Sequence, residues 1–170
     1  MTIKALVQRF LSERAHAAGE TVEFGWFIFR IAEAGQPPRV ESLDFREMAS
    51  FTEDFSEAER IQSLQTAALA EYEASECPCT LWQFALVSVS YSPERDDVFL
   101  ERQQPTTAND SGWYVGVLNE RRDLNAPSTF IHQSLYELTI RDMRMAPYWL
   151  LPPGIVISLG PEPVYEEEVS

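Results

Sequence analysis

The chain has 170 residues, enough for one ordinary domain or two small ones, and its 45% hydrophobic and 12% aromatic content argues for a packed core and against a disordered chain. The formal net charge is -14, from 13 basic and 27 acidic residues. A field of that sign repels phosphate backbones and anionic membranes, and it favours a basic protein partner.

The first element is an amphipathic helix over 3–17. Ile3, Leu6, Val7, Phe10 and Leu11 follow helical spacing, and Gly19 offers a stop. Residues 24–31 (FGWFIFRI) suit a buried strand. After the break at Gln36-Pro37-Pro38, residues 39–45 alternate as a second strand, read as the hairpin partner of the first. Ser56 and Glu59 form a capping-box pattern that opens a helix over 56–74. Cys77 and Cys79 flank Pro78. That spacing is too tight for an ordinary disulfide framework and too small for a zinc site alone, so both are read as buried or half-buried thiols.

Residues 81–91 (LWQFALVSVSY) read as a strand, 92–97 as a polar turn and 98–102 as the next strand. A loop at 105–110 leads into a strand at 112–118 (GWYVGVL), followed by a turn-rich loop at 119–127. Ser134 and Glu137 form a second capping-box pattern, opening a helix to about Arg141. Pro152-Pro153-Gly154 makes a turn into a last strand at 155–159, and the acidic tail 161–170 is expected to fray. The order of elements predicts an α+β fold, a mostly antiparallel sheet with about three helices packed on it. Two regions are expected: an α+β region over 1–92, which is either a subdomain or part of one fold, and a C-terminal region over 93–170.

Charge is uneven along the chain. Residues 41–76 hold ten acids against only Arg46 and Arg60. Around the second helix start, Glu47, Glu53, Asp54, Glu57 and Glu59 either complement the helix dipole or present an acidic face to a basic partner. Catalytic patterns are absent from the sequence. His16 and His132 make no metal pair, and no Gly-rich phosphate loop or Gly-x-Ser-x-Gly elbow occurs. Asp110-Ser111-Gly112 reads as a turn entering a strand, and a small hydrolase built on Asp110, Ser111 and His132 is the minor reading. Asp96-Asp97 reads as a solvated turn and not as a cation site. No cofactor or metal is expected.

Four segments then read together: Asp110-Ser111-Gly112-Trp113, Asp123-Leu124-Asn125, Ser134-Leu135-Tyr136-Glu137-Leu138, and the run from Pro147-Tyr148-Trp149 to Pro152-Pro153-Gly154. Over about residues 95–160 this series resembles immunity-protein family number 33 of bacterial polymorphic toxin systems, a DSGW-type domain formerly of unknown function. The resemblance implies a non-enzymatic protein that binds and neutralises a cognate toxin by stoichiometric occlusion. The alternative is a general interaction or regulatory module on the same scaffold.

Candidate partner-binding residues are Asp110, Trp113, Tyr114, Asp123, Asn125, Tyr148 and Trp149, together with the acidic set Glu47, Glu53, Asp54, Glu57 and Glu59. For Trp113, alternation with Val115 favours a core position. The expected partner is a toxin with a basic surface, met by a monomer or weak homodimer. With no apolar run of about 20 residues and no signal-peptide pattern, a cytoplasmic location is expected and a membrane partner is not.

Overall fold

In a computed structural model that describes residues 2–13, 15–123 and 125–160, Thr2 caps helix α1 (Ile3–Leu11), its side chain accepting from the Ala5 N–H at 3.3 Å. Ile3, Val7 and Leu11 form its buried stripe. The helix stops well short of residue 17. Gly19, at φ 86°, donates its N–H to the Ile31 carbonyl, so its left-handed turn opens a sheet and does not close the helix. The tail reading at 161–170 falls outside the described residues.

The aromatic run at 24–31 is not one strand. Gly25, at φ 61°, turns the chain between β1 (Thr21–Phe24) and β2 (Phe27–Glu33), with Phe24 opposite Phe27. Continuous hydrophobicity hides such a turn because both arms are apolar. Strand β3 (Arg39–Leu43) pairs antiparallel with β2 as expected, and the two-residue β4 (Phe51–Thr52) completes a four-stranded sheet ordered β1-β2-β3-β4.

Helix α2 runs over Ser56–Glu71, and Phe55, not Ser56, sits at its cap position without a side-chain bond. Asp54 does the capping from further back: its Oδ1 accepts the Ser56 N–H at 2.9 Å. The expected Ser56–Glu59 box does not form.

A second sheet follows, built from β5 (Phe84–Ser88), β6 (Val98–Arg102), β7 (Asp110–Val117), β8 (Phe130–Ser134) and β9 (Val156–Ser158), in the order β8-β5-β7-β6-β9. Neighbours are antiparallel except β5 and β7, which run parallel. Consecutive strands β5 and β6 are therefore not partners, because β7 lies between them. Strand β8 falls where sequence reading placed no strand. Its exposed side chains, His132 among them, give no clear apolar alternation. Helix α3 (Leu135–Arg141) carries the expected Ser134–Glu137 capping box, and a 3-10 helix spans Met143–Tyr148. The fold is α+β.

One contiguous core runs from Ile3 to Ile157. The inner face of the second sheet contributes Ala85, Val87, Val98, Leu100, Trp113, Val115, Val117 and Ile157. Phe29 stacks on Phe55 at 5.8 Å, linking β2 to the start of α2. Tyr136 of α3 ties the two ends of the chain: its hydroxyl donates to the Asp44 carbonyl at 2.8 Å and accepts from the Ala49 N–H at 3.1 Å.

At the centre lies Arg102, 1% exposed. Its Nε donates to the Ser111 carbonyl at 3.2 Å. Its Nη1 faces the carbonyls of Cys77 (3.0 Å), Trp149 (3.2 Å) and Leu151 (2.5 Å). The Trp149 carbonyl also accepts from Trp113 Nε1 at 3.1 Å and from the Cys79 thiol at 3.1 Å. Burial pushes the Cys79 thiol up to about 12, so it stays protonated as a donor. Truncating Arg102 leaves several buried carbonyls without a donor. Arg102→Ala is expected to lose about 3 kcal/mol or more, with Arg102→Lys recovering little because an ammonium lacks the planar fork. Urea denaturation checks this, and a loss below about 1 kcal/mol would contradict it.

Candidate functional site

The Asp110-Ser111-Gly112-Trp113 segment forms an irregularity in β7. Pairing with β5 shifts between Phe84–Asp110 and Leu86–Tyr114, so β7 carries extra residues there. Gly112 makes this possible. Its φ is 77°, and a Cβ there would lie 2.2 Å from the Gln103 carbonyl oxygen. Asp110 holds both ends of the kink. Its Oδ1 accepts the Gly112 N–H at 2.7 Å, and its Oδ2 accepts the Thr106 N–H and hydroxyl at 2.8 and 3.0 Å. Partial burial alone would raise the Asp110 pKa, but the Thr106 and Gly112 N–H bonds outweigh it and hold the carboxyl below its usual range.

Ser111 is fully buried. Its hydroxyl donates to the Phe84 carbonyl at 2.8 Å and accepts from the Trp113 N–H at 3.2 Å. His132 stands exposed on β8, and no hydrogen bond joins the two. A Ser111–His132 nucleophile–base pair is thus not assembled. Trp113 and Trp149, both candidates for contact, are core residues at 1% and 0% exposure, with rings edge-to-face at 5.5 Å. Alternation along β7 turns Trp113 inward, and the indole of Trp149 donates to Thr139 Oγ1 at 2.9 Å. Neither presents a surface to a partner.

Tyr114, by the same alternation, faces outward. Cross-strand pairing puts it in a row that spans all five strands: His132 of β8, Leu86 of β5, Tyr114 of β7, Glu101 of β6 and Val156 of β9. Residues opposite one another share a face. The Tyr114 ring meets Phe99 at 5.5 Å and Phe130 at 5.7 Å, both edge-to-face. Gly116 has no side chain because a Cβ would come within 2.4 Å of the Phe99 ring. Phe84 on the same face is 41% exposed. The result is an open groove of about 750 Å³, walled by Phe84, Leu86, Tyr114 and Phe130 and rimmed by Glu101 and Asp110.

The family model of the Imm33-like domain matches residues 64–168. The chain belongs to the Imm33-like domain family. No curated protein matches the chain, and no solved structure does. The Imm33-like segment reaches further upstream than the DSGW-centred resemblance, taking in β5 and with it every residue that lines the groove.

The other candidates lie elsewhere. Asp123 and Asn125 are exposed, and Asp123 Oδ1 accepts from the Asn125 N–H at 2.9 Å, closing their own turn. Tyr148 is half-buried, edge-to-face with Tyr72 at 6.4 Å. The acidic set falls before the Imm33-like segment and is partly neutralised by arginines. Glu53 pairs with Arg39, Asp54 with Arg46 at 2.7 Å, and Glu57 with Arg60 at 3.1 Å. Glu47 and Glu59 form no ion pair among the described residues. Sequence reading missed Phe84, Leu86, Glu101, Phe130 and His132 as a set, because only strand register brings them together. Among the described residues, no cluster of three or more His, Cys, Asp or Glu could hold a metal, and no helix is long and apolar enough to cross a membrane.

Two outcomes follow from this geometry. Gly116→Ala must displace the Phe99 ring, so the Phe99–Tyr114 contact is expected to weaken, read as lost ring-to-ring NOEs with the fold retained. Unchanged NOEs would contradict the packing. Asp54 is held down to about 2, chiefly by the Ser56 N–H and then by Arg46. Its folded pKa is depressed, so its capping contribution is present above about pH 4 and is lost as pH falls through about 2. Amide exchange in the first turn of α2 is expected to rise across that window in the native chain and to be already raised at neutral pH in Asp54→Ala.

Proposed function

We propose that this Imm33-like protein is an immunity protein that neutralises a cognate bacterial toxin by stoichiometric binding, without catalysis, through the open face of its five-stranded sheet. One observation carries the reading. The groove of that face is lined wholly by residues of the family segment, whereas the acidic 41–59 stretch lies outside it. Tyr114 and Phe130 are large, rigid side chains of the kind that dominate binding energy when a partner covers them, and Phe84 adds apolar area. Asp123, Asn125 and Tyr148 are candidates for the periphery.

The acidic stretch has a second part to play in this reading. With Glu47 and Glu59 and the overall charge of -14, it speeds the approach of a basic toxin and contributes less to the final complex. The toxin acts in the cytosol, and the protein meets it there as a monomer or weak homodimer. Residues 1–63 are a buttress of the same folding unit and not a separable binding domain. They are held through the Tyr136 bonds to Asp44 and Ala49 and the edge-to-face contact of Phe45 with the Tyr136 ring at 6.0 Å.

The test is co-expression with the product of the neighbouring gene. The native chain is expected to restore growth. Tyr114→Ala and Phe84→Asp are each expected to weaken the complex about 10-fold or more, with the fold retained by circular dichroism. Glu47→Gln is expected to slow association at low salt with little change in dissociation. Lack of protection by the native chain, or full protection by both groove variants, would contradict the reading.

A further inference from the structure

The groove has a chemistry more specific than an apolar patch. Its walls combine flat rings and aliphatic carbon with neutral glutamine, threonine and asparagine side chains and His132. Its formally charged carboxylates are Glu101 and Asp110, and among the described residues neither lysine nor arginine lines it. Glu101 stands directly across from Tyr114, so a carboxylate and an aromatic ring share one position in the row. Gln103 Nε2 donates to Glu101 Oε1 at 3.1 Å, which steadies the carboxylate. Among the described residues, Oε2 of Glu101 accepts no hydrogen bond. Asp110 is already engaged by Thr106 and Gly112, so it adds negative field more than a free acceptor.

From the charge and the walls together, we propose that this groove receives an arginine side chain of the partner protein, its guanidinium lying against the Tyr114 and Phe130 rings and donating to Glu101. The proposal rests on the immunity reading for the identity of the partner, while the recognition chemistry stands on the groove itself. A guanidinium fits better than an ammonium because it is planar, stacks on rings and binds a carboxylate through two donors. Phosphate-bearing or carboxylate-bearing ligands are opposed by Glu101 and Asp110.

The experiment titrates the full-length, isotope-labelled chain with the capped tripeptide acetyl-Gly-Arg-Gly-amide and follows backbone amides by NMR. Capped Gly-Lys-Gly and Gly-Gln-Gly serve as comparisons. Saturable shifts centred on Leu86, Glu101, Tyr114 and His132 are expected with the arginine peptide. The lysine peptide should bind more weakly, and the glutamine peptide should give no saturation. Glu101→Gln, which preserves shape, is expected to weaken arginine binding about 5-fold, whereas Glu23→Gln on β1 should leave it unchanged.

Equal shifts with the glutamine peptide, no shifts, shifts centred on residues 41–59, or an unaffected Glu101→Gln variant would each overturn the proposal. The two readings fail separately. Arginine binding in the groove without toxin protection removes the immunity function alone. Protection that survives Glu101→Gln but is weakened by Tyr114→Ala and Phe84→Asp, with no arginine-peptide binding, removes the arginine chemistry alone.

Discussion

The buried guanidinium of Arg102 organises the rest of the structure. A charge at 1% exposure is costly unless hydrogen bonds compensate it, and here Nε and Nη1 find the backbone carbonyls of Ser111, Cys77, Trp149 and Leu151. Those carbonyls come from the DSGW kink, the Cys-Pro-Cys segment and the chain entering the Pro152-Pro153-Gly154 turn. Three segments without regular ladders are thereby fixed against one strand. The Trp149 carbonyl, shared with Trp113 Nε1 and the Cys79 thiol, closes the knot.

Function follows from which face this knot occupies. With Trp113, Trp149 and Arg102 gathered on the inner face, alternation along β6 and β7 leaves Glu101 and Tyr114 on the outer one. The DSGW segment therefore contributes to the site indirectly. Gly112 permits the kink, Asp110 holds it, and the next outward residue, Tyr114, stands in the groove. Trp113 takes the core position that its alternation with Val115 favoured, and the core takes Trp149 as well.

Much of this was legible in the sequence. The capping box at Ser134–Glu137, the strands at 98–102 and near 112–118, the turn at Pro152-Pro153-Gly154 and the α+β class all follow from local chemistry, and the structure bears them out. What local chemistry does not carry is pairing. The parallel neighbours β5 and β7, the insertion of β7 between β5 and β6, and the row from His132 to Val156 exist only in register. The turn at Gly25 was masked by apolar residues on both sides, and Ser56 lies one residue inside the helix, where Asp54 accepts its N–H and its hydroxyl accepts from Arg46. For the acidic stretch, sequence left open a helix-dipole role or an acidic face, and it does not show the pairing of Arg39 with Glu53, of Arg46 with Asp54 and of Arg60 with Glu57.

The central claim is that a toxin seats on the outer face of the five-stranded sheet. Hydrogen–deuterium exchange of the protein alone and in its toxin complex tests this most directly. Protection is expected in β5, β7 and β8 and in the 105–109 loop, with the four-stranded sheet and residues 41–59 exchanging as before. Protection confined to 41–59 or to the four-stranded sheet, with β5, β7 and β8 unchanged, would contradict it.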